Sequence, residues 1–304
     1  MRLAALAGKL YGLSRMSHSV LDIPYLAVGA VIALGAFPPG RVMILGLLAA
    51  FAGITAIFAL NDLIDRRVDS EKMAALGGRA AGFDLDSLGL RHPLAQGKLS
   101  LASGAIWVVF WGAVSFTAAW LVRPTCAWLV LAAALLEVGY CSLLKVTPWK
   151  TCLTGANVAV GGLAGVYAAT GAPHLPLVVL FFAWCFGWES GCRNTANDWT
   201  DYEEDVRMGI RTVPVTLGLK GAARISLVMM VFTVACAAVF PFVSPHLSLP
   251  IYEAVTAVAA GYLLVIPSIR WQRDLTRERA LVFFNRACFY PLSVFVAVAA
   301  ALLL

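Results

Sequence analysis

The sequence predicts an all-α protein that crosses a membrane about nine times, and three observations carry that prediction. Of its 304 residues, 61% are hydrophobic and only 13% charged, whereas a soluble domain is nearer half apolar and a quarter charged. Apolar stretches long enough to span a bilayer recur at 21–38, 42–60, 101–122, 125–144, 152–171, 175–196, 223–243, 250–269 and 281–303. The loops between them alternate between strongly basic and almost uncharged.

Residues 1–20 combine Leu3, Leu6, Leu10 and Leu13 with Arg2, Lys9 and Arg15, the make-up of an amphipathic helix lying in the membrane interface. They lack the continuous apolar core and small-residue cleavage site of a signal peptide, so the segment is expected to stay with the chain. Pro24, Pro267 and Pro291 fall within spans, where proline kinks or ends a helix. The second loop carries Arg66, Arg67, Lys72, Arg79, Arg91 and Lys98; the fourth, Lys145 and Lys150. The sixth carries Arg207, Arg211 and Lys220, and the eighth Arg270, Arg273, Arg277 and Arg279, while the intervening loops offer only Arg41 and Arg123. The positive-inside rule places the basic loops in the cytoplasm, with the N-terminus inside and the C-terminus outside. For a bacterial chain this means the inner membrane. The chain reads as one transmembrane domain over 1–304, with membrane lipid around it.

The net charge of +6 could suggest nucleic acid, but basic residues confined to alternate loops argue against that class. Seven scattered cysteines form no C-x-x-C pair, and neither a disulfide framework nor a zinc site is expected. His174 and His246 fall in far-side loops, and His18 and His92 near the cytoplasmic face, none with a partner at metal spacing. The common nucleotide-loop and hydrolase signatures are missing.

The chemistry is concentrated in one pattern that occurs twice. Asn61-Asp62-Leu63-Ile64-Asp65-Arg66-Arg67-Val68-Asp69 closes the second span, and Asn197-Asp198-Trp199-Thr200-Asp201-Tyr202-Glu203-Glu204-Asp205 closes the sixth. Both read N-D-x-x-D-x-x-x-D. Steps of four advance about 40° beyond a full helical turn, so Asn61, Asp65 and Asp69 share one stripe, as do Asn197, Asp201 and Asp205. Two stripes of hard oxygen donors suit magnesium shared with phosphate oxygens. Acidic residues that merely end apolar helices in water are the plainer reading of one motif, and recurrence at similar depth disfavours it. Four helices separate the motifs, so an internal repeat would be parallel: two four-helix halves plus a ninth helix.

Glu189 and Arg193 extend the second stripe inward, and intramembrane charge marks function by default. Arg193 suits a phosphate clamp, or neutralises Glu189 one turn away. Tyr140 and Lys145 close the fourth span, where they could equally serve an aromatic belt and lipid headgroups. Glu137 is another intramembrane carboxylate, whose partner the sequence does not reveal. The segment 70–100 includes Gly77-Gly78, Asp84, Asp86 and Arg91-His92-Pro93-Leu94-Ala95-Gln96-Gly97-Lys98. Lying directly after the first motif, it reads as a lid over a site.

These motifs resemble the UbiA superfamily of intramembrane prenyltransferases. Asn61 to Asp69 is similar to that family's first motif, and Asp198, Asp201 and Asp205 to its second. Gly209-Ile210-Arg211-Thr212-Val213-Pro214-Val215-Thr216-Leu217-Gly218 is similar to the stretch that follows. Tyr140 and Lys145, ahead of Thr147-Pro148, look like the family's tyrosine–lysine pair, and Arg193 has a counterpart in some branches. One departure is a histidine inserted in the family's R-P-L-x-x-G element, here Arg91 to Gly97, after a longer spacer; it puts the lid's role and the acceptor pocket in question.

The resemblance implies magnesium-dependent transfer of a prenyl group from an isoprenyl diphosphate to an aromatic or lipid-like acceptor. It implies magnesium held by Asn61, Asp62, Asp65 and Asp69, and by Asp198, Asp201 and Asp205. Asp65, Asp69, Asp201, Asp205, Lys145 and Tyr140 are the catalytic candidates. Arg193, Asn61, Asn197, Arg66, Arg91, Lys98 and Glu189 are the substrate-binding candidates. A terpene cyclase of the same family, a transporter and a non-catalytic scaffold are the alternatives.

Overall fold

A computed structural model describes every residue except 1, 77–89, 91 and 245–246. All regular secondary structure among the described residues is helical, with nine segments long and apolar enough to cross a membrane. Helix α1 (Arg2–Leu13) is followed by α2 (Met16–Leu34), α3 (Gly40–Ile64) and α4 (Arg66–Leu76). Then come α5 (Leu101–Val122), α6 (Pro124–Ser142), α7 (Lys150–Ala169), α8 (Leu175–Gly187), α9 (Thr195–Thr200) and α10 (Tyr202–Met208). The chain closes with α11 (Val213–Val243), α12 (Leu249–Ala260), α13 (Ile266–Arg273), α14 (Arg277–Cys288) and α15 (Tyr290–Leu303).

Several spans run past the point where the apolar sequence stops. The second continues to Ile64 and the sixth to Thr200, whereas the helix of the seventh starts at Val213 but is kinked at Gly218 (φ 74°, ψ 161°), close to where the apolar run begins. Hydropathy ends a span at its first polar residues, yet the backbone keeps its hydrogen bonds and carries those residues onward inside the bundle. At the amino terminus the first helix ends at Leu13, short of the expected 1–20. Arg15 adopts a left-handed conformation (φ 41°), and the first span starts at Met16 with Pro24 inside it. The expected loop after the first motif likewise begins as helix, α4.

Trp184, Trp188, Phe181, Phe240 and Tyr290 are fully buried where α8, α11 and α15 meet α2 and α7. Apolar side chains cover the outside too: Ile44 and Val109 are 70% exposed, and Phe242 and Val258 74%. A helix that is apolar all round fits a lipid surround.

Both motifs lie at the same end of the bundle. Each is broken at its middle aspartate, Asp65 (φ −84°, ψ 2°) between α3 and α4, and Asp201 (φ −97°, ψ 8°) between α9 and α10. The four-residue spacing survives the break. Asp65 N–H still donates to Asn61 O and Asp69 N–H to Asp65 O, both at 2.9 Å. Asp201 N–H donates to Asn197 O at 3.3 Å and Asp205 N–H to Asp201 O at 2.9 Å. Gly209 then ends α10 in a left-handed cap (φ 65°), a conformation glycine adopts without steric cost.

Candidate active site

A cavity of about 200 Å³ opens between the two motifs, lined by Asn61, Asp65 and Asp69 from one and Asn197, Asp198, Asp201 and Asp205 from the other. Lys72 on α4 bridges them, its Nζ 2.9 Å from Asp205 Oδ1 and 3.6 Å from Asp201 Oδ2. Among the described residues, eight carboxylates but only four lysine or arginine side chains line this space. With its acids ionised, it carries a surplus of negative charge that cations would relieve. Asp198 Oδ2 is buried without a hydrogen-bond partner among the described residues. Clustered hard oxygen donors of this kind fit magnesium.

The wall beside the second motif is not plain α-helix. Trp188–Asn194 forms a π-turn between α8 and α9, a widened helix that recurs at functional sites. Hydroxyls satisfy the carbonyls around it: Ser190 O accepts from Thr195 Oγ1 at 2.6 Å, and Gly191 O from Ser226 Oγ at 2.8 Å. Gly191 is required by packing, since a Cβ there would lie 2.1 Å from Met229 Cβ. Glu189 and Arg193 line the chamber together with Asn197, Asp201 and Asp205, and the widened turn adds Asn194 to the same lining.

Arg193 sits in a buried network. Its Nη1 is 2.8 Å from Asp22 Oδ1 and 3.2 Å from Glu189 Oε2, its other amino group contacts His18 Nε2, and its guanidinium lies over the Trp188 ring. The intrahelical pair with Glu189 is present, but Asp22 on α2 is the nearer acid. Glu137 accepts from Asn61 Nδ2 at 3.1 Å and from Asn157 Nδ2 at 2.7 Å. Asn61 in turn accepts from Arg15 Nη2 at 3.4 Å.

Several sequence candidates lie elsewhere. Lys145 is exposed and does not line the cavity, because α6 stops at Ser142 and the connecting turn faces it outward. Lys150 takes the inner place at the start of α7. It is 1% exposed, 3.1 Å from Tyr140 Oη and 4.3 Å from the Tyr140 ring centre. Tyr140 Oη also accepts from Asn194 Nδ2 at 3.2 Å.

Arg66 lines a shallow surface groove with Arg67, Leu63 and Leu101, and Lys98 is exposed. Asp62, one position and about 100° round the helix from Asn61, does not line the cavity but faces His92. Arg91 and much of the expected lid lie outside the described residues. The expectation that no histidine has a partner at metal spacing does not hold for His92. His92 Nδ1 is 2.5 Å from Asp62 Oδ1 and 3.0 Å from Asp69 Oδ2. Sequence reasoning passed over Arg15, Asp22, Lys72 and Lys150, although Asp22, a carboxylate within an apolar span, was a visible signal.

Below this polar chamber a second, apolar cavity of about 260 Å³ runs along α3 toward Phe37 and Pro38 at the opposite face. Tyr25, Ile54 and Ile57 line both.

Charge in the polar chamber gives a signed pH dependence. Burial, reinforced by Asp69, pushes the Asp65 carboxyl up to about 6. Burial, with Asp198 adding and Lys72 opposing, does the same for Asp205. Burial disfavours the His92 proton, but hydrogen bonds to Asp62 and Asp69 outweigh it and raise the imidazole above its ordinary value. Burial likewise opposes ionised Asp69, and His92 outweighs it, holding Asp69 below the usual range.

Groups harder to ionise when folded lose stability as pH rises through their folded values, which covers Asp65 and Asp205. His92 stabilises fully below its unfolded value of about 6.5 and loses that contribution as pH rises through the raised one. Asp69 acts oppositely, but its contribution is complete above about pH 4. The metal-free protein is therefore expected to melt at a lower temperature at about pH 8 than at about pH 5.5, with magnesium reducing the difference. A melting temperature that rises across this interval would contradict the assignment.

The fold and this chamber define a polytopic helical membrane protein with an acidic chamber at one face, adjoining an apolar one in the bundle. The chain belongs to the UbiA prenyltransferase family, whose sequence model matches residues 23–289. It is 29% identical over 276 residues to a protoheme IX farnesyltransferase of Nitrosococcus oceani, covering 88% of this chain and 84% of that one. It is 26% identical over 278 residues to a digeranylgeranylglyceryl phosphate synthase of Thermococcus gammatolerans, covering 91% and 92%.

Among solved structures, a UbiA homologue from Aeropyrum pernix superposes with a TM-score of 0.73 at 22% identity, covering 93% of this chain and 97% of the homologue. One from Archaeoglobus fulgidus, bound to DMAPP and Mg2+, gives 0.68 at 18%, covering 96% and 99%. At these identities the structural likeness speaks for the fold.

Proposed function

We infer that this protein transfers a prenyl group from an isoprenyl diphosphate to an aromatic or lipid-like acceptor, with magnesium as its metal. The observation that carries the reading is that the acidic cavity and the apolar one adjoin, sharing Tyr25, Ile54 and Ile57 as wall residues. One end suits a metal-bound diphosphate and the other an isoprenoid tail. Prenyl diphosphate and Mg2+ bound to the A. fulgidus homologue support it.

Asn61, Asp65 and Asp69, with Asp198, Asp201 and Asp205, would hold the metal at the chamber mouth. When bound, magnesium supplies positive charge that stabilises the departing diphosphate. Lys150 and Tyr140 present an ammonium and a hydroxyl to the same space, and Lys72 adds charge from α4. Cleavage of the donor's C–O bond releases diphosphate and leaves an allylic cation, which the apolar walls shield from water until the acceptor forms the new bond and gives up its proton to the departing diphosphate or to water at the chamber mouth. Arg193 and Glu189, tied to Asp22 and Thr154, fix the floor of the chamber. The positive-inside rule places the chamber face in the cytoplasm and the C-terminus on the far side.

The test is magnesium-dependent pyrophosphate release by the purified protein in lipid, with geranyl, farnesyl and geranylgeranyl diphosphates, with and without aromatic and lipid acceptors. Release dependent on one acceptor supports transfer. Release with none, together with a cyclic hydrocarbon, moves the reading to a cyclase. Lys150→Met is expected to lower kcat/KM for the donor about 10²-fold, as loss of one aimed donor does elsewhere, while Lys145→Met leaves it near wild type. Equal effects of the two changes would remove Lys150 from the site.

A further inference from the structure

The histidine inserted between Arg91 and Pro93 is a side chain that the reading above leaves unused. His92 is 8% exposed and Asp62 2%, and Asp62 Oδ2 has no hydrogen-bond partner among the described residues. Asp62, Asp69 and His92 each offer one ligand atom, all within 4.8 Å of one another. Atoms bound at about 2.1 Å to one divalent ion sit roughly 3 Å apart in adjacent positions, close to the 3.0 Å between His92 Nδ1 and Asp69 Oδ2. His92 also takes a left-handed backbone (φ 49°), a conformation that residues with a Cβ rarely adopt.

We propose that His92 is a nitrogen ligand to the divalent ion held at the first acidic motif, so this chain grips that ion with imidazole as well as carboxylate oxygen. The proposal rests on the reading of that motif as a metal site. It follows that metal preference shifts from magnesium toward first-row transition ions such as Mn2+, because imidazole suits those ions while magnesium prefers oxygen. Asp62 gains a role here that its position outside the main chamber otherwise denies it. The competing account makes His92 a protonated strap that only neutralises Asp62 and Asp69 and stays off the metal.

Pulsed electron paramagnetic resonance of Mn2+ bound to the purified protein in lipid nanodiscs, without any diphosphate, separates the two accounts. It reads nitrogen coordinated to the ion. The expected spectrum shows a directly bound nitrogen whose frequency changes when histidine carries the heavy nitrogen isotope, a test that needs no mutation. The coupling should vanish in His92→Gln and persist in His18→Gln, the other histidine of the chamber. Bound Mn2+ without nitrogen coupling, or coupling lost with His18 instead, overturns the proposal. So does failure to bind Mn2+. Prenyl transfer is judged independently by pyrophosphate release with magnesium, so the two readings can fail separately.

Discussion

Replacing Asp65 or Asp201 by alanine is expected to lower pyrophosphate release by at least about 10²–10³-fold, the scale of losing one aimed electrostatic group, while the protein still inserts and stays monodisperse. Each carboxylate sits at the break in its own motif, between a helix inside the bundle and a short helix beyond it. Each therefore points into the chamber from the middle of a stripe. Asp65 is also a strained charge, with burial and Asp69 both opposing its ionisation. Removing it should leave the metal-free protein at least as stable as wild type at neutral pH, which separates loss of function from loss of fold. Near-wild-type release in either variant would refute the two-motif site.

Gly46→Phe is expected to change which donors the protein accepts. Gly46 lines the apolar cavity, and a Cβ there would meet no atom within 4 Å. Ile57, at the junction of the two cavities, lies eleven residues further along α3, about 16 Å at the helical rise. An extended isoprene unit covers roughly 5 Å at ordinary carbon bond lengths, so three units reach Gly46. The cavity continues to Val42, leaving room beyond for a fourth.

A phenyl ring at Gly46 should spare geranyl and farnesyl diphosphate and reduce kcat/KM for geranylgeranyl diphosphate by about 10²-fold, since a lost methylene site alone is worth 10–200-fold. An unchanged ratio among the three donors would place the prenyl tail elsewhere.

The limits of the sequence reading have local causes. The motif stripes were legible because backbone hydrogen bonds across Asp65 and Asp201 preserve the four-residue spacing. The inward extension through Glu189 and Arg193 was legible too, but Asn194 was not, since a π-turn brings it to the same wall and no periodicity announces that turn. Resemblance to the family's tyrosine–lysine pair points to Lys145, but both Lys145 and Lys150 follow Tyr140 closely, and only the length of α6 and the turn after it decide which ammonium turns inward. His92 looked isolated because its partners, Asp62 and Asp69, lie 30 and 23 positions away.

The sequence alone determined that this is a helical membrane protein with two acidic motifs at one face. Apolar run length, loop charge and i, i+4 spacing are local properties, fixed by bilayer thickness and helix geometry. The tertiary structure decided what the chamber contains. Lys72 between the motif-two acids, Lys150 under Tyr140, Asp22 on Arg193 and His92 on Asp62 are contacts between elements distant in the chain. They are set by which helices pack together and by what each buried charge needs to neutralise it. The apolar cavity is likewise a product of packing. Small residues such as Gly46, Ala49 and Ala50 on α3 leave space only because α2, α5, α6 and α7 surround them.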